Sequence, residues 1–143
     1  MIIVDTNVIS ELMKHLPSTN VVAWIDKQTG EDLFLTAITV AEIDYGLSIL
    51  PAGGRRNSMR NAFEKVVEEA FAFRVLSFDF NAARLYGNIM SHRKELGRPM
   101  SLFDGQIASI AHAHEAALAT RNVKDFDECG LIIINPFEEV ADS

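Results

Sequence analysis

The sequence contains little cysteine, no long hydrophobic run and fewer cations than anions, and each shortage narrows the class of protein. Its single cysteine, Cys129, rules out an internal disulfide and suits a reducing compartment. No apolar stretch approaches the roughly 18 residues that a membrane-spanning helix needs. Asp5 interrupts the apolar N-terminus, and no basic residue precedes it as in a signal peptide. We therefore expect a cytoplasmic protein without membrane contact.

The residues that are present fit one globular domain. The chain has 143 residues, of which 48% are hydrophobic and 23% are charged. This is an ordinary composition for a domain that buries its own core. Because no repeat or low-complexity segment divides the chain, residues 1–143 are predicted to form a single domain.

Positive charge is concentrated in one segment although the chain as a whole is acidic. The net charge is −7, from 13 basic and 20 acidic residues. Residues 55–98 hold nine of the basic residues against five acids, so this segment is +4 and the remainder is −11. Such asymmetry leaves room for a basic track beside an acidic pocket.

Five short apolar stretches without alternation are typical of strands that are covered on both faces. They are residues 2–4, 33–36, 75–78, 117–120 and 131–134. Apolar residues at helical spacing fill the intervals, around residues 19–29, 40–50, 56–71, 85–96 and 103–114. Strands that alternate with helices predict right-handed crossovers and an α/β fold with a mostly parallel sheet.

Acidic and amide side chains follow the predicted strands. Asp5 comes directly after the first strand, Glu42 lies near the start of the helix after the second, Asp104 begins the last long helix, and Asn122 follows residues 117–120. The carboxyl ends of parallel strands line the crevice where ligands bind. Carboxylates gathered there repel each other unless they are protonated or neutralised by a cation. Oxygen ligands without His or Cys favour Mg²⁺ or Mn²⁺ over zinc.

Two of these acids also have a purely structural interpretation. The tetrapeptides Thr39-Val-Ala-Glu42 and Ser101-Leu-Phe-Asp104 both match the capping box, and the helix dipole favours acids in a first turn. A carboxylate beside a buried strand has little structural use, so Asp5 carries the metal-site hypothesis.

Four motifs resemble those of PIN-domain ribonucleases. In order, they are MIIVDTNVISEL, LTAITVAEIDYGL, SLFDGQIASIAHAHEAALATRN and DFDECGLIIINPF, so the resemblance covers nearly the whole chain. The chain looks most like the VapC-type toxins of bacterial toxin–antitoxin pairs, including FitB-like and plasmid-stability members. The resemblance implies a three-layer α/β/α sandwich with a five-stranded, mostly parallel sheet. It also implies Mg²⁺-dependent hydrolysis of RNA phosphodiester bonds.

The resemblance also implies roles for individual residues. Asp5, Glu42 and Asp104 would be the catalytic acids, and the same three side chains would bind Mg²⁺. Mn²⁺ would be able to replace Mg²⁺ there. The fourth acid of the family falls on the amide of Asn122, which leaves open whether one ion or two would bind. The pocket would further include Thr6, Asn7, Thr120, Arg121 and Asn122. RNA phosphates would be attracted by part of the basic segment, namely Arg55, Arg56, Arg60, Arg93 and Arg98.

The implied partners are an RNA substrate, a cognate VapB-like DNA-binding antitoxin that inhibits the enzyme, and a second copy of the chain. The apolar helices around residues 39–50 and 80–96 are candidates for the homodimer interface. Two other functions stay open. One is a PIN-fold protein that binds partners but has lost turnover, which only Asn122 favours. The other is a haloacid-dehalogenase-like phosphatase, because "DTN" loosely resembles its Asp-x-Asp start; Asn7 counts against this.

Overall fold

The computed structural model describes residues 1–138, and residues 139–143, which the single-domain prediction includes, lie outside the described residues. The strands are β1 (Ile2–Val4), β2 (Leu33–Thr36), β3 (Val75–Leu76), β4 (Ala117–Ala119) and β5 (Ile133–Ile134). The helices are α1 (Thr6–Leu12), α2 (Thr19–Lys27), α3 (Ala37–Ser48), α4 (Gly54–Glu69), α5 (Phe80–Glu95) and α6 (Leu102–Ala113). Short 3-10 turns cover Gly30–Asp32 and Val123–Phe126.

All neighbouring strands of the sheet are parallel, and their order is β3-β2-β1-β4-β5. The N-terminal strand is therefore central, with Ile3 opposite Phe34 on one side and Leu118 on the other. This confirms the predicted α/β fold with a five-stranded parallel sheet. Because the strands run in the same direction, the residues that follow β1, β2 and β4 meet at one edge of the sheet.

The sheet is covered on both faces, as the unbroken apolar strands predict. Ile3 and Val4 are fully buried on opposite faces of β1. Val4 belongs to a core cluster with residues of α1, α2, α3 and α4, and Ile3 belongs to a second cluster with residues of α5 and α6. The three-layer arrangement is thus confirmed. None of the helices within residues 1–138 is long and apolar enough to cross a membrane.

The sequence pattern misses helix α1. Helix α1 spans only seven residues and contains the β-branched Val8 and Ile9. It is too short to show apolar residues repeating at helical spacing. Its N-cap is Asp5, whose carboxylate accepts a hydrogen bond from the Thr6 backbone N–H at 2.8 Å. The expectation that Asp5 has little structural use is therefore wrong, because this carboxylate also begins a helix.

Candidate active site

Asp5 lies in a hydrogen-bond network at the carboxyl edge of β1 and β4. It is only 4% exposed. Besides the contact from Thr6, its Oδ2 accepts hydrogen bonds from Thr120 Oγ1 at 2.9 Å and from Asn7 Nδ2 at 3.1 Å. Residues 5 and 120 each follow a strand, and those two strands pair in parallel. The sheet register therefore brings two distant parts of the sequence together.

Asn7 extends this network to the segment after β4. Its Nδ2 also lies 3.1 Å from Thr120 Oγ1, and its Oδ1 accepts a hydrogen bond from the Arg121 backbone N–H at 2.9 Å. The Thr120 hydroxyl in turn accepts from the Asn122 backbone N–H at 3.0 Å. Together with Thr6, all five predicted pocket residues are thus joined to Asp5 by hydrogen bonds, although Arg121 and Asn122 contribute their backbones here.

Glu42 contacts the same region through Thr6. Its Oε1 accepts a hydrogen bond from Thr6 Oγ1 at 3.1 Å. The N-cap of α3 is Thr36, whose hydroxyl accepts from the Thr39 backbone N–H at 3.1 Å. A capping box would therefore need its acid at position 39, three residues before Glu42. The capping-box interpretation of Glu42 is wrong, and its carboxylate faces the start of α1.

Asp104 lies in the first turn of α6. The N-cap of this helix is Ser101, as the sequence predicts, and its Oγ accepts a hydrogen bond from the Asp104 backbone N–H at 3.1 Å. That contact uses the backbone of Asp104. It is therefore compatible with a second role for the half-buried carboxylate.

The three acids share one electrostatic environment. Burial raises the pKa of Asp5 above its ordinary value, although hydrogen bonds from Thr6, Thr120 and Asn7 act in the opposite direction. Burial likewise raises the pKa values of Glu42 and Asp104. The charges of Asp5 and Asp104 raise the pKa of Glu42 further, and the charge of Asp5 does the same for Asp104. A cation at this edge would relieve that repulsion.

Asp125 is an additional acid that the sequence interpretation did not select. It lies on the 3-10 turn after Asn122, and its backbone N–H donates to Asn122 O at 3.0 Å. Its negative charge raises the pKa values of both Asp5 and Asp104. The sequence feature that could have indicated Asp125 is its position next to Phe126. Phe126 is buried, and it holds this turn beside the edge of the sheet. The turn after Asn122 therefore adds a fourth negative charge near Asp5 and Asp104.

The donor set suits a hard divalent cation in its chemistry. Within residues 1–138, no three His, Cys, Asp or Glu side chains lie close enough together to hold a metal ion among them. Mg²⁺ is nevertheless usually bound through one or two carboxylates and retains several waters. The carboxylates at this edge are oxygen ligands that repel each other. They therefore suit a partly hydrated Mg²⁺ better than an ion that is bound by protein side chains alone.

Arg121 is held beside this site by two residues that the sequence interpretation missed. Its guanidinium carbon lies 3.7 Å from the centroid of the Phe137 ring. Its Nη2 lies 3.5 Å from Glu11 Oε1, and the Glu11 side chain is only 7% exposed. Lys14 Nζ is 3.1 Å from the same oxygen. Glu11 could not be selected because α1 was not recognised, and Phe137 is far from the other site residues in sequence.

The predicted RNA-binding arginines lie in different environments. Arg55 is exposed and Arg56 is half-buried at the start of α4. Arg60 and Arg98 each form an ion pair with a solvent-accessible aspartate, at 2.9 and 3.2 Å respectively. An exposed ion pair can open readily to bind another anion, because it contributes little stability. A role for these four residues stays a prediction.

Arg93 does not fit that role. It is 4% exposed, and its guanidinium donates to three backbone carbonyls. Nε contacts Arg98 O at 2.7 Å, and Nη1 contacts Asp127 O at 2.5 Å and Lys124 O at 3.4 Å. The prediction that Arg93 binds RNA is wrong, because its donors already connect α5 to two loops.

Replacing Arg93 with alanine is expected to destabilise the protein by roughly 2–4 kcal/mol, since it leaves buried carbonyls without donors and opens a cavity. Urea unfolding would measure this loss. Lys94→Ala removes an exposed neighbouring cation and should change stability by less than about 0.5 kcal/mol. Equal unfolding midpoints for Arg93→Ala and the unchanged protein would contradict the structural role.

Comparison with known proteins finds full-length likenesses. A sequence model of the PIN-domain family matches residues 2–130. VapC ribonuclease Y4jK of Sinorhizobium fredii is 49% identical over 138 residues, which are 96% of this chain and 99% of the relative. Toxin FitB of Neisseria gonorrhoeae is 38% identical over 139 residues, 97% of this chain and 100% of the relative. The solved structure of FitAB bound to an IR36 DNA fragment has a TM-score of 0.89 at 37% identity and full coverage of both chains.

Proposed function

This chain belongs to the PIN-domain family, and from that premise we propose that it is the toxin of a toxin–antitoxin pair and acts as a Mg²⁺-dependent endoribonuclease. The observation that carries the proposal is the convergence of acids at one sheet edge, where Asp5 is buried and its charge raises the pKa values of Glu42 and Asp104. The names VapC ribonuclease and Toxin FitB, borne by relatives of matching length, support the same activity.

The side chains would divide the work of RNA hydrolysis. Asp5, Glu42 and Asp104 would hold a hydrated divalent ion, one or two of them directly and the rest through its bound waters. When bound, the ion supplies a Lewis acid for phosphodiester hydrolysis. Thr6 would orient the Glu42 carboxylate through the contact at 3.1 Å. Asn7 and Thr120 would orient Asp5 by donating to its Oδ2. These neutral donors fix the direction of the carboxylates without cancelling their charge.

A cleavage assay tests the proposal directly. The purified protein is incubated with transfer RNA, ribosomal RNA and messenger RNA in Mg²⁺, in Mn²⁺ or in EDTA. We expect cleavage of at least one RNA class with either ion and none with EDTA. Metal binding without cleavage of any RNA would favour the alternative of a partner-binding protein without turnover. The phosphatase alternative is set aside because the chain belongs to a different family.

We further propose that the partner is a VapB-like DNA-binding antitoxin. The structural neighbour FitAB, bound to a DNA fragment, supports a partner that links this fold to DNA. A groove of about 690 Å³ between α1, α2 and α4 offers a surface for it. A groove with an apolar floor and charged residues around it can bind an amphipathic helix. The apolar lining residues are Leu12, Met13, Ile25, Met59, Ala62, Val66 and Ala70, and the polar or charged ones are Ser10, Lys14, His15, Ser58, Lys65 and Glu69.

The antitoxin is expected to place an arginine at the acidic site, because a guanidinium pairs well with carboxylates that lack a counter-charge. Its binding should then compete with the divalent ion. By calorimetry, we expect saturating Mg²⁺ to weaken the complex by about tenfold, and Asp5→Asn to remove most of this Mg²⁺ dependence. An affinity that is indifferent to Mg²⁺ would mean that the antitoxin inhibits from another surface.

A homodimer is also proposed. Tyr45 and Ile49 on or next to α3, and Phe80 on α5, are exposed apolar side chains in the segments that the sequence suggests for the interface. Exposed aromatic and aliphatic side chains of this kind favour association. Sedimentation equilibrium of the chain and of Tyr45→Ser would test it, and a monomeric wild type would contradict it.

A further inference from the structure

Arg121 is anchored to the acidic site through its backbone. Its backbone N–H donates to Asn7 Oδ1 at 2.9 Å, and Asn7 Nδ2 donates to Asp5 Oδ2 at 3.1 Å. Asn7 therefore connects the Arg121 backbone to the Asp5 carboxylate, beside the neighbouring Thr120, whose hydroxyl also donates to Asp5 Oδ2. Because this connection fixes the Arg121 backbone next to Asp5, it also restricts the positions that the Arg121 side chain can occupy.

The guanidinium is oriented before any ligand arrives. One of its faces lies on the Phe137 ring, and one of its nitrogens lies near the buried carboxylate of Glu11. Phe137 is itself held in place, because its backbone carbonyl accepts a hydrogen bond from Asn20 Nδ2 at 2.9 Å. An ordered guanidinium loses less conformational entropy on binding than a freely rotating one.

Other donors of the same guanidinium remain available. The Arg121 side chain is 53% exposed. Within residues 1–138, Nη2 is the guanidinium nitrogen that has a protein acceptor, and that contact is long at 3.5 Å. The remaining N–H groups can therefore donate to a ligand in solvent. A planar pair of N–H groups matches the two oxygens of a phosphodiester.

Two arginines of the basic segment, Arg93 and Arg74, are engaged elsewhere. Arg93 is buried among backbone carbonyls, and Arg74 donates to Leu33 O at 2.8 Å and to other carbonyls at the far end of the sheet. Arg60 and Arg98 form exposed ion pairs with aspartates, which can open to bind another anion, so these two stay available. Because Arg93 and Arg74 are engaged, the charge that residues 55–98 can offer to a polyanion is smaller than their composition indicates. A cation built into the site edge becomes correspondingly more important.

We propose that Arg121 binds a backbone phosphate of the RNA beside the acidic site, and that Glu11 and Phe137 position its guanidinium for this contact. The inference rests on the proposed ribonuclease function. It assigns Arg121 to direct phosphate binding, whereas Glu11 and Phe137 act through Arg121. A phosphate held there would bring the polyanionic substrate towards carboxylates that would otherwise repel it.

The test measures binding of a fluorescein-labelled oligouridylate in EDTA, where no cleavage is expected, at increasing salt concentration. Each phosphate contact to a single strand contributes about 0.7 to the slope of log affinity against log salt. We expect Arg121→Ala to reduce this slope by about 0.7 and to weaken binding by about tenfold at low salt. Arg121→Lys should retain the slope and recover part of the affinity, because it keeps the charge without the planar donors.

Two further variants separate phosphate binding from structure. Lys27→Ala removes an exposed charge from the last turn of α2 and should leave the slope unchanged. Phe137→Leu keeps an apolar contact but loses the ring face, so affinity should fall by about threefold at an unchanged slope. Because Arg121→Ala leaves Glu11 with Lys14 alone, the measurement is repeated on Glu11→Gln/Arg121→Ala, which avoids a poorly paired buried charge.

The possible results distinguish this proposal from the function on which it rests. If the wild type cleaves RNA and both Arg121→Ala variants keep the wild-type salt slope, Arg121 does not bind phosphate, and the nuclease proposal stands. A lower unfolding temperature without a slope change would assign Arg121 a structural role only. A wild type that neither binds the oligouridylate nor cleaves any RNA would overturn the nuclease proposal and this inference together.

Discussion

Asp5→Asn is expected to reduce RNA cleavage by more than about 100-fold while the fold stays intact. The variant removes a negative charge from the centre of the proposed metal site. Even changes to residues that only support a metal ligand commonly lower activity or metal affinity 10- to 100-fold. Single-turnover cleavage with Mn²⁺ would measure the loss, and calorimetric Mn²⁺ titration should show weaker binding in the same variant.

The thermal stability of the metal-free Asp5→Asn variant should change little, because two effects oppose each other. Burial disfavours the charged carboxylate, as its raised pKa indicates, so a neutral side chain is favoured. Asparagine has one acceptor oxygen, however, whereas Asp5 accepts from Thr6 at Oδ1 and from Asn7 and Thr120 at Oδ2. One side of this network must weaken, by about 1 kcal/mol.

Asp26→Asn provides the matched control, because it makes the same chemical change at an exposed position on α2. It should leave cleavage and Mn²⁺ affinity within about twofold of the wild type, since surface substitutions have small effects. Near-normal cleavage by Asp5→Asn would mean that the site has been placed on the wrong residues. Collapse of its circular dichroism spectrum would instead show that the charge is needed for folding.

Glu42→Gln is expected to lower cleavage by a similar factor and to leave stability unchanged. Glutamine keeps an oxygen that can accept a hydrogen bond from the Thr6 hydroxyl, so the contact between α1 and α3 is retained. What disappears is the charge that a divalent ion would use. Because Thr36 caps α3, loss of a helix cap cannot explain an effect of this variant.

The control for Glu42 is Asp44→Asn, which removes an acid two residues further along α3. Asp44 forms an exposed ion pair with Arg60, and such pairs contribute at most about 1 kcal/mol. Its cleavage activity should match that of the wild type. If Glu42→Gln and Asp44→Asn were equally active, Glu42 would be a surface acid without a part in metal binding.

The elements that follow from local apolar pattern are the ones that the sequence predicts well. Residues 2–4 and 33–36 form strands as expected, because unbroken apolar runs suit a sheet covered on both faces. Once the sheet is parallel, the convergence of Asp5, Glu42 and Asp104 follows from topology. β3 and β5 are shorter than predicted, with two residues each, since ladder pairing ends before the apolar run does.

The features that the sequence does not predict depend on contacts between distant residues. The short helix α1 exists because it packs against the core and is capped by Asp5, and helices of this length are not stable by propensity alone. The placement of Glu11 and Phe137 around Arg121 requires the completed fold. For Arg93, the positive charge leads to the prediction of an exposed RNA-binding residue. In the structure its guanidinium is buried and donates hydrogen bonds to backbone carbonyls.

The central position of β1 has a consequence for how this protein is made. β1 leaves the ribosome before its neighbour β4 and the Thr120 hydroxyl that contacts Asp5, which are synthesised about 115 residues later. At translation rates of roughly 5–20 residues per second, this interval is about 6 to 23 seconds. Phe137 follows later still. Until β4 is made, a nascent chain therefore lacks the hydrogen bond that Thr120 donates to Asp5. If the proposed nuclease activity needs this contact, we expect no cleavage of nearby RNA during that interval, in which an inhibitor can accumulate.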